Sequence, residues 1–162
     1  ARGNHAGFVE ACETIDGMEA CDLLLSDSVN LQGIDSLTWN DSYADTRVTH
    51  VAAIDPGFVW GLEPFDVSNL VRPVLMIGFG GEEDRMLATN FDASGLASDL
   101  DDRRIVRFEP AYHFSAMPVC TAFGEAILQE ENDDPVCSDP AGSDRRAIHA
   151  GIIRLISEKL GL

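Results

Sequence analysis

Three short runs of apolar and β-branched residues stand out against a more polar background. They cover residues 47–54, 73–78 and 104–108, and turn-forming residues follow each of them. Runs of this length that end in Asp-Pro-Gly or in glycines are typical of buried strands. The pattern therefore predicts three strands, each with a loop directly after its carboxyl end.

Helical periodicity fills much of the chain around these runs. The segments with apolar residues at helical spacing are 6–30, 89–100, 114–131 and 143–160. The first predicts two short helices broken near Asp16-Gly17, and the last predicts one long helix capped by Ser143 or Asp144. The polar stretch 30–46 predicts a loop with little structure.

Strands that alternate with helices predict the α/β class, with a mainly parallel sheet covered by helices on both faces. Three strands make a narrow sheet, however, and the first helices have no preceding strand to pack on. We therefore expect residues 1–162 to be the C-terminal portion of a single larger domain whose first strands precede residue 1.

The chain is strongly acidic, with 28 Asp and Glu against 11 Lys and Arg and a formal net charge of -17. Lys159 is its only lysine. Such a surface would not neutralise phosphates, which argues against a nucleic-acid partner. No apolar run reaches the roughly 18 residues that a membrane span requires, so no span is expected.

Four cysteines form two local couples, Cys12 with Cys21 and Cys120 with Cys137. Neither couple has the spacing of a zinc or redox motif. Two disulfides are the simplest interpretation, with buried free thiols as the alternative. Disulfides would indicate an oxidising compartment, so we expect a secreted or periplasmic protein.

His113 is the only one of the four histidines that follows a predicted strand. His5, His50 and His149 lie at the start of the chain, within the first strand and in the last helix. An imidazole a few residues past a strand can project over the edge of the sheet as a general base. A plain surface histidine is the alternative.

Asp55 directly follows the first predicted strand. Asp-Pro-Gly is also ordinary turn chemistry, so a purely structural role stays open at this point. Phe58, Trp60 and Phe65 come next and would either line an apolar pocket or belong to the core.

The loop after the second strand, GFGGEED at 78–84, allows other interpretations. Glu82 and Asp84 compete with Asp55 as a catalytic acid. As a phosphate-binding loop for a nucleotide the segment is a poor candidate, because three acids follow its glycines. Acid clusters at 99–102 and 133–134 lack the alternation of a calcium loop and predict solvated turns.

Taken in order, several segments resemble the C-terminal half of bacterial predicted dienelactone hydrolases and, more distantly, the secreted platelet-activating-factor acetylhydrolases. The segments are VAAIDPG (51–57), RPVLMIG (72–78), YHFS (112–115), CSDPAGSDR (137–145) and AIHA (147–150). The resemblance covers residues 47–160, and it lies in the order of the segments rather than in any one of them.

The resemblance implies an α/β-hydrolase fold and ester hydrolysis by Ser, Asp and His in that chain order. His113 matches the family's catalytic histidine, and Asp55 matches the acid position of the acetylhydrolases. No metal or organic cofactor is implied, and the expected substrate is a small-molecule ester.

The family's nucleophile motif is missing, since no Gly-x-Ser-x-Gly occurs in the 162 residues. We expect the serine to lie in an N-terminal half outside this chain, which would act as its partner. The alternative hypothesis is a non-catalytic module that binds a ligand or partner through the region of Phe58 and Trp60.

Overall fold

The computed structural model describes residues 2–68, 70, 74–81, 84–100, 105–132 and 134–162. In chain order its helices are α1 (His5–Thr14), α2 (Glu19–Ser26), α3 (Ser36–Trp39), α4 (Pro64–Val67), α5 (Leu96–Asp99), α6 (Gly124–Glu131) and α7 (Arg145–Leu160). Its strands are β1 (Val51–Ile54), β2 (Val74–Phe79) and β3 (Ile105–Phe108), and short 3₁₀ turns lie at Leu31–Gly33, Leu87–Thr89 and His113–Ala116.

The three strands form one parallel sheet in the order β1-β2-β3. The first pairing sets Ile54 opposite Ile77, and the second sets Phe79 opposite Phe108. All three strands run in the same direction, so their carboxyl ends meet at one edge of the sheet. The predicted α/β arrangement with three parallel strands is confirmed.

The central strand β2 is buried along its whole length. Its Met76 packs into a cluster with Phe91 and Ile105 on one face of the sheet. Its Leu75, Ile77 and Phe79 pack on the other face against Ile148 and Ile152 of α7. The apolar run is continuous because both faces of a central parallel strand are covered.

The N-terminal helices build a third cluster around four buried residues, Phe8, Met18, Cys21 and Leu31. They pack against the loops that follow the strands, with Trp60 contacting both this cluster and the one on the Met76 face. A disulfide between Cys12 and Cys21 joins α1 to α2, and a second links Cys120 to Cys137. Both predicted cysteine couples are therefore disulfide-bonded.

The last helix agrees with its prediction. The Asp144 side chain accepts a hydrogen bond from Ala147 N, and Gly161 ends the helix with a left-handed φ of 72°. A cap of this kind satisfies backbone groups that the first or last turn leaves without partners. None of the helices in the described ranges has the length and apolar character needed to cross a membrane.

Two predicted helices are much shorter than expected. Of residues 89–100, only Leu96–Asp99 is α-helical, because Asn90 caps a turn through Ala93 N and Gly95 has a φ of 85°. Of residues 114–131, only Gly124–Glu131 is α-helical, since Pro118 interrupts the segment.

Smaller differences concern loops and strand ends. The stretch 30–46, expected to be irregular, contains the turn Leu31–Gly33 and the helix α3. Pairing in β1 begins at Val51, so His50 lies exposed before the strand rather than in it. Residues 73 and 104, which the sequence pattern also assigns to strands, lie outside the described residues.

Candidate active site

Asp55 directly follows β1 and has an unusual backbone conformation. Its N–H still donates to Ile77 O at 2.7 Å, which continues the parallel ladder, but its φ is 42°. Phe58, three residues on, has a φ of 57°. Positive φ at residues other than glycine costs about 1–3 kcal/mol and is found most often at functional sites. The turn after β1 is therefore held against a local conformational preference.

The Asp55 carboxylate is almost fully buried and accepts three hydrogen bonds. Oδ1 accepts from Phe79 N at 3.0 Å and from Arg85 Nη1 at 2.8 Å. Oδ2 lies 2.7 Å from His113 Nδ1. The residue is 2% exposed, so its hydrogen bonds are made to protein groups rather than to solvent. Asp55 is fixed by the backbone of one neighbouring strand and by two side chains.

His113 begins the short 3₁₀ turn that follows β3. A carboxylate only accepts, so the ring nitrogen facing Asp55, Nδ1, carries the proton and Nε2 is the basic nitrogen. The His113 side chain is 34% exposed. Across the described residues Nε2 has no hydrogen-bond partner. The contact at Nδ1 therefore fixes the orientation of the ring, and Nε2 is left without a partner among these residues.

Arg85 lies on the opposite side of the Asp55 carboxylate, with its side chain 0% exposed. Its Nη2 donates to Gly80 O at 3.1 Å, and its Cζ lies 4.1 Å from the centroid of the Phe91 ring. Burial lowers the pKa of Arg85, and the negative charge of Asp55 acts in the opposite direction. Arginine stays protonated in proteins, so a full positive charge is buried here. We call Asp55, Arg85 and His113 the Asp55 cluster.

Arg85 does not figure among the predicted site residues. The one signal in the sequence is a single arginine that follows three acids in a glycine-rich loop, GFGGEEDR at 78–85. Such a residue is far more often exposed than buried. Only the folded chain brings it behind the end of β1.

A second polar cluster supports the turn that carries His113. Ser115 is fully buried, and its Oγ donates to Asp139 Oδ1 at 2.6 Å while accepting from Tyr112 N at 2.8 Å. Arg145 Nε donates to Asp139 Oδ2 at 2.8 Å, and His149 Nε2 lies 3.0 Å from Ser115 O. We call Ser115, Asp139, Arg145 and His149 the Asp139 cluster. It ties the His113 turn to the start of α7.

The pKa of Asp139 reflects opposing effects. Burial alone would raise it, but the hydrogen bonds from Arg145 and Ser115 act the other way, and the pKa lies below the ordinary value of 3.8. The ionised carboxylate is therefore the form that stabilises this cluster.

Asp84, one of the two competing acids of the second loop, does not take part in this arrangement. Asp84 is exposed, and the hydrogen bond of His113 goes to Asp55 instead. Glu82 lies outside the described residues, as do residues 101, 102 and 133 of the acid clusters considered for calcium. Within the described ranges no three His, Cys, Asp or Glu side chains come together as metal ligands do.

Gly78, near the end of β2, and Gly80, just after it, are both buried. A Cβ on Gly78 would meet the Arg85 guanidinium and Phe91 Cε1, the latter at 2.5 Å. Gly80 has a φ of 67°, which a side chain would disfavour. The space that a phosphate-binding loop would offer at Gly78 is filled by an arginine of the same chain.

Apolar side chains from the loop that follows Asp55 help to line a pocket of about 360 Å³. Phe58 and Trp60 belong to its lining, together with Phe8 and Trp39 of the N-terminal helices. Phe65 is not part of it and is 65% exposed. Two of the three aromatic residues singled out in the sequence therefore share one concave surface.

Comparison of the chain with protein-family models, with curated proteins and with solved structures finds no match.

Proposed function

We propose that this chain supplies the acid and the general base of a serine-dependent carboxylic ester hydrolase. The observation that carries the proposal is the state of His113, whose Nδ1 faces a buried, fixed carboxylate while Nε2 has no partner in the described part of the chain. A base held in one tautomer by an acid, with its second nitrogen free, is the arrangement that activates a hydroxyl nucleophile.

The two ring nitrogens of His113 have separate roles in the proposed reaction. Nε2 of His113 takes the proton of a serine hydroxyl, and the serine oxygen attacks the ester carbonyl. The protonated ring then gives this proton to the departing alcohol, which leaves an acyl-enzyme. Water repeats the sequence with Nε2 as base and releases the acid. Asp55 orients the ring throughout and stabilises its protonated form.

The serine itself is proposed to come from outside these residues, in an N-terminal half of an α/β-hydrolase domain. Support comes from the missing Gly-x-Ser-x-Gly and from the chain order of the two residues, Asp55 after β1 and His113 after β3. Both lie at the carboxyl edge of a parallel sheet, where α/β proteins gather reactive groups. The resemblance to dienelactone hydrolases and acetylhydrolases suggests the same assignment.

The pocket at Phe58 and Trp60 is the proposed site for an apolar part of the ester. Phe58 of its lining follows Asp55 by three residues in the chain, and the volume suits a small molecule. Two disulfides favour an oxidising compartment, so we further propose that the protein is secreted or periplasmic.

The test compares hydrolysis of p-nitrophenyl acetate by the 162-residue chain and by the product of the same gene expressed with its upstream coding sequence. We expect turnover only in the longer product. There, His113→Asn and Asp55→Asn should each lower kcat/KM by at least about 10³-fold, as removal of a triad member does.

His50→Asn is the matched control, because His50 is exposed and lies outside the cluster. It should leave kcat/KM unchanged. A folded longer product without turnover, or turnover that persists in the His113→Asn variant, would contradict the proposal.

The pocket also supports a second candidate, a non-catalytic module that binds an apolar ligand. Trp60 and Trp39 line it, so binding of a non-hydrolysable alkyl ligand should change tryptophan fluorescence. If the ligand binds and the longer product has no esterase activity, the binding module is the better account.

A further inference from the structure

A positive charge is buried directly behind the proposed catalytic acid. The Arg85 guanidinium is withdrawn from solvent and donates to the Asp55 oxygen that His113 does not use. Burying an ion pair costs several kcal/mol per ion in desolvation, and apolar residues of similar size often stabilise a protein as well or better. The pair is therefore poorly explained by stability alone.

The chain makes room for this guanidinium in several places. Gly78 has no side chain where Arg85 crosses β2, the Phe91 ring stacks against the guanidinium, and Gly80 O accepts from Nη2. A lysine would carry the charge but could not make both hydrogen bonds in this planar geometry. These contacts suit the planar guanidinium of an arginine.

We propose that Arg85 is a positioning residue for the Asp55–His113 pair, a role that rests on the proposed function. With Phe79 N it occupies Oδ1 of Asp55, which leaves Oδ2 for the imidazole and prevents the carboxylate from rotating. Its charge also offsets that of Asp55. Without it, a buried and uncompensated carboxylate would interact more strongly with a protonated imidazole.

Other charges lie near this pair. Asp92, Arg107 and Glu109 all act electrostatically on Arg85. Arg107 binds Asp92 and lies 5.4 Å from the centroid of the same Phe91 ring. It is the matched control, because it shares the aromatic ring with Arg85 but does not contact Asp55.

The test follows protonation of His113 by NMR in the ¹⁵N-histidine-labelled 162-residue chain, which contains four histidines. In Arg85→Met the midpoint of the His113 titration should move to higher pH, because a positive charge next to the Asp55 carboxylate is lost. Arg85→Lys keeps the charge and should leave the midpoint close to that of the parent. Arg107→Met should likewise leave the midpoint close to that of the parent.

Arg85→Gln provides a second neutral variant that still offers a donor to Asp55, in case Arg85→Met does not fold. It should show an upward shift of the same sign. An unchanged midpoint in a folded neutral variant would overturn the proposal, and so would an equal shift in Arg85→Lys, because packing alone would then explain the effect. Since the measurement needs no turnover, its failure is distinct from a failure of the proposed ester hydrolysis.

Discussion

The Asp55 cluster and the Asp139 cluster use the same kinds of side chain but leave different atoms free. Each combines an aspartate, an arginine and a histidine. In the Asp139 cluster the histidine, His149, uses Nε2 on the carbonyl of Ser115. In the Asp55 cluster the Nε2 of His113 is without a partner among the described residues. The Asp139 cluster therefore holds two segments of the chain together, whereas the Asp55 cluster leaves a ring nitrogen of its histidine without a partner among the described residues.

Burial separates the two clusters as well. The Asp55 side chain is 2% exposed, whereas that of Asp139 is 20% exposed. A carboxylate near solvent can exchange a lost partner for water, but a buried one cannot. Residue type alone therefore does not distinguish the cluster that we propose to be reactive from a structural one. The distinction lies in which atoms remain unpaired and how far they are from water.

The largest effect on stability is expected from Asp55→Ala. It leaves the guanidinium of Arg85 buried without its counter-ion, which typically costs about 3–5 kcal/mol. Asp139→Ala removes a more exposed acceptor and should cost about 1–3 kcal/mol. Urea unfolding at pH 7 gives both free energies. A larger loss in Asp139→Ala than in Asp55→Ala would show that burial of the carboxylate does not determine the cost of losing it.

Gly78→Ala should destabilise the Asp55 cluster without removing any of its polar groups. The added methyl would meet the Arg85 guanidinium and the Phe91 ring, and overpacking of this kind costs about 1–3 kcal/mol. Gly57→Ala is the control in the loop of Asp55, because the nearest atom to its Cβ is Ala88 O at 3.8 Å. Equal unfolding free energies for the two variants would show that the cradle tolerates a methyl group.

The sequence predicts the parts of the site that follow from a strand and its end. The runs 47–54, 73–78 and 104–108 predict the three strands, and a parallel sheet brings their carboxyl ends together. The proximity of Asp55 to His113 follows from that topology. The structure adds the hydrogen bond between the two side chains, which the hydrophobic pattern of the sequence does not specify.

The residues that sequence analysis did not find depend on loops. Arg85 and Ser115 are polar residues outside the regular strands, and their burial is decided by tertiary contacts with Phe91, Gly78 and Asp139. The same limit explains the shortened helices, since Asn90 and neighbouring turn formers compete locally with the helical hydrogen bonds.

The Asp139 cluster should weaken in acid, and Asp139→Asn tests this. The pKa of Asp139 is lowered in the folded chain, so its ionised form stabilises the fold. That contribution is complete above the unfolded pKa of about 4 and is lost as the pH falls through the lower, folded value. At pH 7 the variant should be less stable than the parent by about 1–2 kcal/mol.

Urea unfolding between pH 7 and pH 2.5 measures that difference. It should shrink as the pH falls below about 4 and approach zero when Asp139 is protonated in both states. A difference that stays constant over this range would mean that the carboxylate acts through its shape rather than its charge.

The smallest effect is expected at a third arginine–acid pair, Arg154 with Glu158 on α7. Nη1 and Oε1 are 3.0 Å apart, but the two side chains are 64% and 60% exposed. Pairs of this kind contribute about 0.3–0.5 kcal/mol at best. Glu158 also lies in the last turn, where a negative charge opposes the helix dipole. Glu158→Gln should therefore change the unfolding free energy by less than about 0.5 kcal/mol, and a loss comparable to that of Asp139→Ala would show that burial does not govern the three pairs.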